Sequence, residues 1–242
     1  MSTLHGTLSG GTAVSRRRFV TGACLSGAGL CLSGCLRRGK EEEGLSAVED
    51  LMREHGVLRR ALLVYAEAVP RLAGTPPAGI AGALQKTATL FRAFGENYHE
   101  RTLEEQFVFP ALRKAPGPLP ALVDTLIAQH ERGRDITAFV LAVTTGGTLA
   151  GDAAAALARQ LAAFVRMYQN HAAREDTVVF PAWKKAMPAD QIEELGEQFE
   201  EIEHEQVGEG GFDDAVRQIE EIEALLGLEN IAQFTAPQPP GA

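Results

Sequence analysis

Tyr98–Ala111 reads YHERTLEEQFVFPA, and Tyr168–Ala182 reads YQNHAAREDTVVFPA. Both run from tyrosine through histidine and a carboxylate pair to valine and Phe-Pro-Ala. Each lies in a long segment with helical apolar spacing, 80–114 and 152–186. His171 and Glu175 are four apart, so their side chains leave one helix face about one turn apart. Aligned on Phe-Pro, Glu104 matches Glu175, Glu105 matches Asp176, and His99 falls one residue further upstream than His171. Leu103 takes the simple i+4 place. A one-residue π-bulge between His99 and Glu104 would absorb the difference, and such bulges are frequent at functional sites. In a regular helix, Glu100 or Glu105 competes for the same role. One signature on two alternate helices implies a pseudo-twofold site between them.

Working outward, Leu51, Met52, His55, Leu58, Leu62 and Tyr65 form one stripe of a first helix that starts near Leu45. Gly74-Thr75-Pro76-Pro77-Ala78-Gly79 ends it, and Ala115-Pro116-Gly117-Pro118 ends the second. The third runs from about 121 to 143. No strand pattern appears. The fold class expected is all-α: an up-down-up-down four-helix bundle over 45–187. Residues 188–242 form a C-terminal extension with acidic helices at 189–206 and 212–226. Each is too short to bury a core alone, so they are expected to pack on the bundle.

His55, His99, His130 and His171 fall one on each bundle helix, where each can face the axis. Buried imidazoles meeting carboxylates at one level are costly unless a cation compensates. Imidazole and carboxylate without thiolate suit iron or manganese better than a soft metal. The expected set is His55, His99, His130 and His171 on the ends, with Glu104 and Glu175 or Asp176 bridging; Glu100 and Glu105 are lesser candidates. Iron and manganese both suit such a set, zinc is also compatible, and a bridging carboxylate would draw two cations together. His204 sits in Glu200–Glu205, an acidic stretch that reads as a solvated face.

The chain has 242 residues, 45% of them hydrophobic, which suits one globular domain with appendages. A formal charge of -9 argues against a nucleic-acid partner. Cys24, Cys31 and Cys35 all lie near the start, so no disulfide framework or cysteine metal site exists downstream. Ser15-Arg16-Arg17-Arg18-Phe19-Val20 resembles the twin-arginine export signal of bacteria. The uncharged run that follows ends in Leu32-Ser33-Gly34-Cys35, which resembles a lipobox. By that resemblance residues 1–35 are a signal, Cys35 is lipidated, residues 36–44 are a tether, and the protein is held at the cell envelope. The route also resembles one that carries folded proteins, which fits a cofactor loaded before export.

The ordered array of His55, His99 with Glu104, His130, and His171 with Glu175 and Asp176 resembles the hemerythrin-like (HHE cation-binding) family. Met52-Arg53-Glu54-His55-Gly56 resembles its first ligand segment. The likeness spans about 45–187. It implies a non-haem di-iron centre in the bundle. The family's activities include reversible O2 binding, NO or O2 sensing, iron handling and oxidant defence. Oxygen carriers of the family have two histidines four apart on the third helix. Here Arg134 follows His130 by four and Leu126 precedes it by four. Glu131, Glu54, Glu100 or a water are the candidate replacements. A sphere altered in this way favours redox chemistry, NO or peroxide reactivity, or plain iron binding over oxygen carriage.

Two other readings compete. Glu96-x-x-His99 and Glu201-x-x-His204 have the spacing of ferritin-like oxidases and ferroxidases, but leave three histidines without a role. A metal-free envelope adaptor would use the acidic C-terminal helices as its surface. No flavin, haem or nucleotide motif appears, so any electron donor is a separate molecule.

Overall fold

A capping box starts the first helix, α1 (Ala47–Arg71): Glu49 N–H donates to Ser46 Oγ, and Ser46 N–H donates to Glu49 Oε2 at 3.0 Å. This computed structural model describes residues 45–149 and 151–241, all within one structural unit, Glu42–Ala242. Ile80–Leu90, Phe91–Val108 and Phe109–Leu112 continue one another as a second rod, α2. The third is α3 (Leu119–Thr144). Gly151–Arg174, Glu175–Val179 and Phe180–Ala186 make the fourth, α4. Then come α5 (Ala189–Gln206) and α6 (Gly211–Leu226), and a short 3₁₀ turn at Ile231–Phe234. The described residues contain no strand.

The protein is thus all-α, a helix bundle with two added helices. Helix α1 packs on α4, α2 on α3, and α3 on α4. The faces that meet carry the periodic apolar residues. Leu51, Leu58, Leu62 and Tyr65 of α1 are buried. Met52 is 36% exposed, against the sequence expectation. It is one residue round the helix from Leu51 and leaves the stripe. Val178, beside the buried Val179, is also exposed. Rings lock the core edge to face, with Tyr65 and Phe91 at 5.5 and 5.0 Å from Phe164.

Helices α5 and α6 lie on α1 and α2. Arg60 of α1 donates through Nε and Nη2 to Glu223 of α6 at 2.9 and 2.6 Å, a bidentate pair. Thr102 Oγ1 of α2 donates to Gln206 Oε1 of α5 at 3.0 Å. Phe199 of α5, fully buried, meets Phe107 at 5.3 Å and stacks on Trp183 at 6.3 Å. Trp183 closes the far end of α4, so α5 is part of the bundle's core rather than a separate domain.

The twin-arginine stretch, Cys35 and the tether 36–44 lie outside the described residues. No described helix is long and apolar enough to cross a membrane.

Phe199→Ala removes a ring that both α2 and α4 pack against. We expect it to lower unfolding free energy by about 3 kcal/mol, read from urea denaturation of the whole chain. A loss within experimental error would mean that α5 contributes nothing to the core.

Candidate metal centre

The second rod winds wider than an α-helix. Phe109 N–H donates to Glu104 O, and Thr102 Oγ1 donates to Asn97 O at 2.9 Å; each spans five residues. The expected single-residue bulge between His99 and Glu104 is therefore corrected: π-type bonding runs along Phe91–Val108. The fourth rod, expected to be regular, has the same feature. Phe180 N–H donates to Glu175 O across five residues. The cause is legible in both repeats. Pro110 and Pro181 lack an N–H, and a proline ring clashes with the carbonyl four residues back. The wide turn that ends at each Phe-Pro follows from this; the wider bonding further upstream on α2, back to Phe91, contains no proline. On α2 the wider turn brings His99 and Glu104 to one face.

The result is a symmetric array. Glu104 Oε1 lies 3.4 Å from His99 Nε2, and its Oε2 lies 3.3 Å from His130 Nε2. Glu175 Oε1 lies 3.0 Å from His171 Nε2, and its Oε2 lies 3.5 Å from His55 Nε2. Each carboxylate thus faces one histidine of each pair. Glu104, His130, His171 and Glu175 offer ligand atoms within 4.8 Å of one another, and so do His55, His99 and Glu104. All six side chains are buried.

Behind every imidazole stands an acceptor. His55 Nδ1 donates to Asp176 Oδ1 at 2.7 Å, and His99 Nδ1 to Glu54 Oε2 at 2.6 Å. His130 Nδ1 donates to Glu105 Oε1 at 2.9 Å, and His171 Nδ1 to Gln129 Oε1 at 2.9 Å. These bonds turn all four Nε2 atoms inward, the arrangement seen around metal-bound histidines. The acceptors are themselves held: Arg59 pairs with Asp176, Arg134 with Glu105, and Tyr98 OH donates to Glu54 Oε1 at 2.7 Å.

The inward atoms lack donors. Both oxygens of Glu104, both of Glu175, and His99 Nε2 are buried without a hydrogen bond. Leaving such atoms unsatisfied costs roughly 1–3 kcal/mol each. Two cations would satisfy all of them at once, so the donor set fits the metal that the array implies. Without a cation, protons do part of that work. Burial opposes charge on His99 and His130, yet Glu104, Glu54, Glu100 and Glu105 hold both well above the ordinary histidine range. Burial likewise opposes charge on Glu104, yet His99 and His130 hold its carboxyl well below the usual range.

Comparison with known proteins agrees with this geometry. The sequence matches the Hemerythrin HHE cation binding domain over residues 46–183, and again over 121–234. The chain belongs to the hemerythrin HHE cation-binding family. It is 45% identical over 197 residues to the uncharacterized protein Rv1995 of Mycobacterium tuberculosis, covering 81% of this chain and 76% of that one. The uncharacterized protein Mb2018 of Mycobacterium bovis is similar to the same extent. No solved structure matches.

This hemerythrin-like chain brings together His55, His99, Glu104, His130, His171 and Glu175. Asp176 and Glu105, weighed as ligands, instead stand behind His55 and His130. Their own acidity follows. Burial opposes their charge, but the facing histidine and arginine hold both carboxyls below the usual range. Glu54 stands behind His99, and Glu131 is exposed. Glu100 is buried beside the cluster, bonded to Tyr168. His204 is exposed and joins no cluster, which leaves the ferritin-like reading without its second motif. Sequence reasoning missed Gln129 and Arg59. Arg59 follows His55 by four, a spacing that could have flagged it. Nothing in the sequence marks Gln129, which reaches His171 only across the α3–α4 interface.

A cation binds the neutral ring, whereas His99 and His130 are held protonated without one. Metal loading should release protons, and affinity should rise as pH climbs through and above the ordinary histidine range. Titration of metal into weakly buffered apoprotein with a pH indicator tests this; uptake without acidification would contradict the protonated array.

Proposed function

We propose that this protein is an exported, lipid-anchored hemerythrin-like protein that holds two iron ions and binds or reacts with O2, NO or peroxide. One observation carries the two-ion reading: Glu104 and Glu175 each present one oxygen to the His55/His99 pair and one to the His130/His171 pair, with no donor on any of the four oxygens. Each ion would take two imidazoles and one oxygen from each bridging carboxylate. A nitrogen and oxygen set without thiolate supports iron over softer metals, with manganese and zinc as lesser matches. When bound, the iron pair supplies a redox-active centre open to a small ligand.

The chain's own residues do the rest. The four Nδ1 acceptors fix ring orientation. Tyr65, Phe164 and Tyr168 fill the bundle beside the site and limit water. Third-helix coordination stops at His130, because Arg134 turns to Glu105 and Glu100, and Leu126 is packed in the core. That deficit supports ligand reactivity or iron handling over simple oxygen carriage. Any reductant is a separate electron donor. Nothing in the site favours the metal-free adaptor reading.

The purified chain should contain about two irons and show an oxo-bridge charge-transfer band in air that changes with NO. His99→Ala or His171→Ala should lose metal and lower Tm, since bound metal is folding free energy. Unchanged metal content in both variants would refute the assignment. Cys35→Ala should move the protein from membrane to soluble envelope fractions; identical fractionation would remove the anchor.

A further inference from the structure

The partners of the four rings repeat with a twofold pattern along the chain. Glu54, the residue before His55, accepts from His99 Nδ1 on the next helix at 2.6 Å. Gln129, the residue before His130, accepts from His171 Nδ1 on the next helix at 2.9 Å. Asp176, the residue after Glu175, accepts from His55 Nδ1 at 2.7 Å. Glu105, the residue after Glu104, accepts from His130 Nδ1 at 2.9 Å. Arg59, four residues past His55, pairs with Asp176, and Arg134, four past His130, pairs with Glu105. In these partners, α1 and α2 match α3 and α4 position for position.

One position breaks the match. Where the first half has a carboxyl group, Glu54, the second has an amide, Gln129. Two carboxyl groups therefore stand behind the His55/His99 pair, and one carboxyl and one amide behind the His130/His171 pair. Glu100 lies on the His130 side as well, but its oxygens meet Tyr168 and Arg134 rather than a ring. The difference matters because the group behind a coordinating imidazole sets the ring's basicity and orientation. A carboxylate there strengthens the ring as a donor; an amide has no ionisable group and strengthens it less. An amide can also turn about its last bond. Gln129 would then offer an N–H to His171 Nδ1, and the ring would carry its own proton on Nε2, the atom that faces the cluster. A carboxylate has no such donor to offer.

We propose that Gln129 makes the two cation positions unequal: the His55/His99 position fills first and holds its ion, and the His130/His171 position fills last and empties first. This rests on the two-cation reading above. Metal uptake and release then run through one half of the cluster while the other half stays loaded. The bridging carboxylates do not create the difference, because Glu104 and Glu175 each present one oxygen to each pair. Gln129 is a positioning residue: it acts on the ion only through His171.

Zinc is the probe, being diamagnetic and compatible with a nitrogen and oxygen donor set. It is titrated into the metal-free full-length chain against a competing chelator, while NMR shifts of the ring nitrogens report which histidines have bound. In the wild type the first zinc should move His55 and His99. The second, at least about tenfold weaker, should move His130 and His171. Repulsion between two cations separates the steps even in a symmetric cluster, so the order of filling carries the test. Gln129→Glu should abolish the order, and so should Glu54→Gln. The two substitutions together should reverse it, with His130 and His171 moving first, an outcome that loss of structure does not produce. If the double variant fails to fold, Gln129→Glu alone carries the test. A wild type in which both pairs move together, or an unchanged order in folded Gln129→Glu, would overturn the proposal. A wild type that binds fewer than two zinc ions would instead refute the two-cation reading, and this proposal with it.

Discussion

Two carboxylates buried in the middle of a helix bundle, with no donor on any of their four oxygens, constrain everything else in this protein. Burial alone would push a proton onto Glu104. What holds Glu104 in its charged form is the ring of imidazoles around it. The four histidines in turn need acceptors on their outer nitrogens, and the chain supplies Asp176, Glu54, Glu105 and Gln129. Those acceptors need partners, and Arg59, Arg134 and Tyr98 supply them. Polarity thus runs outward from the axis in layers, each answering the one inside it. An apolar substitution in any layer leaves a buried polar group exposed to its full desolvation cost.

The backbone yields to the same demand. An α-helix cannot bring residues five apart onto one face, and His99 and Glu104 are five apart. Proline solves this by withholding a donor and crowding the carbonyl behind it, so the helix widens upstream of Pro110 and Pro181. The two Phe-Pro pairs are therefore part of the site although neither proline touches it. Phe109 and Phe180, next to those prolines, stack on His130 and flank His55 at 5.5 and 5.4 Å, closing the cluster from the same ends. The C-terminal helices extend the logic to the outside. Helix α5 buries Phe199 against Phe107 and Trp183, on the segments that carry the two signatures.

Much of the site was legible because its logic is local. Histidine–carboxylate spacing, the doubled Phe-Pro and one histidine per helix all show in the chain, and the family membership rests on the same residues. The bulge on α2 was legible from the offset between the repeats, but its extent was not. Nor was the matching turn on α4, because His171 and Glu175 already fit a regular helix and raise no alarm. The fates of Asp176 and Glu105 were open for a geometric reason. A carboxylate one residue round a helix from a ligand can reach either the cation or the back of a neighbouring ring.

By itself the sequence determined the helical class and pointed to the six residues that share the core's polar level, since these follow from periodicity and spacing along one chain. Tertiary structure decided which atom of each residue faces inward. That choice depends on contacts between helices far apart in sequence: Glu54 with His99, Gln129 with His171, Asp176 with His55. It also decided where Arg134 points, toward Glu105 and Glu100. Gly133 lies inside α3, where glycine ordinarily weakens a helix. Only packing α3 against α4 shows that it makes room for the Tyr168 hydroxyl, which donates to Glu100.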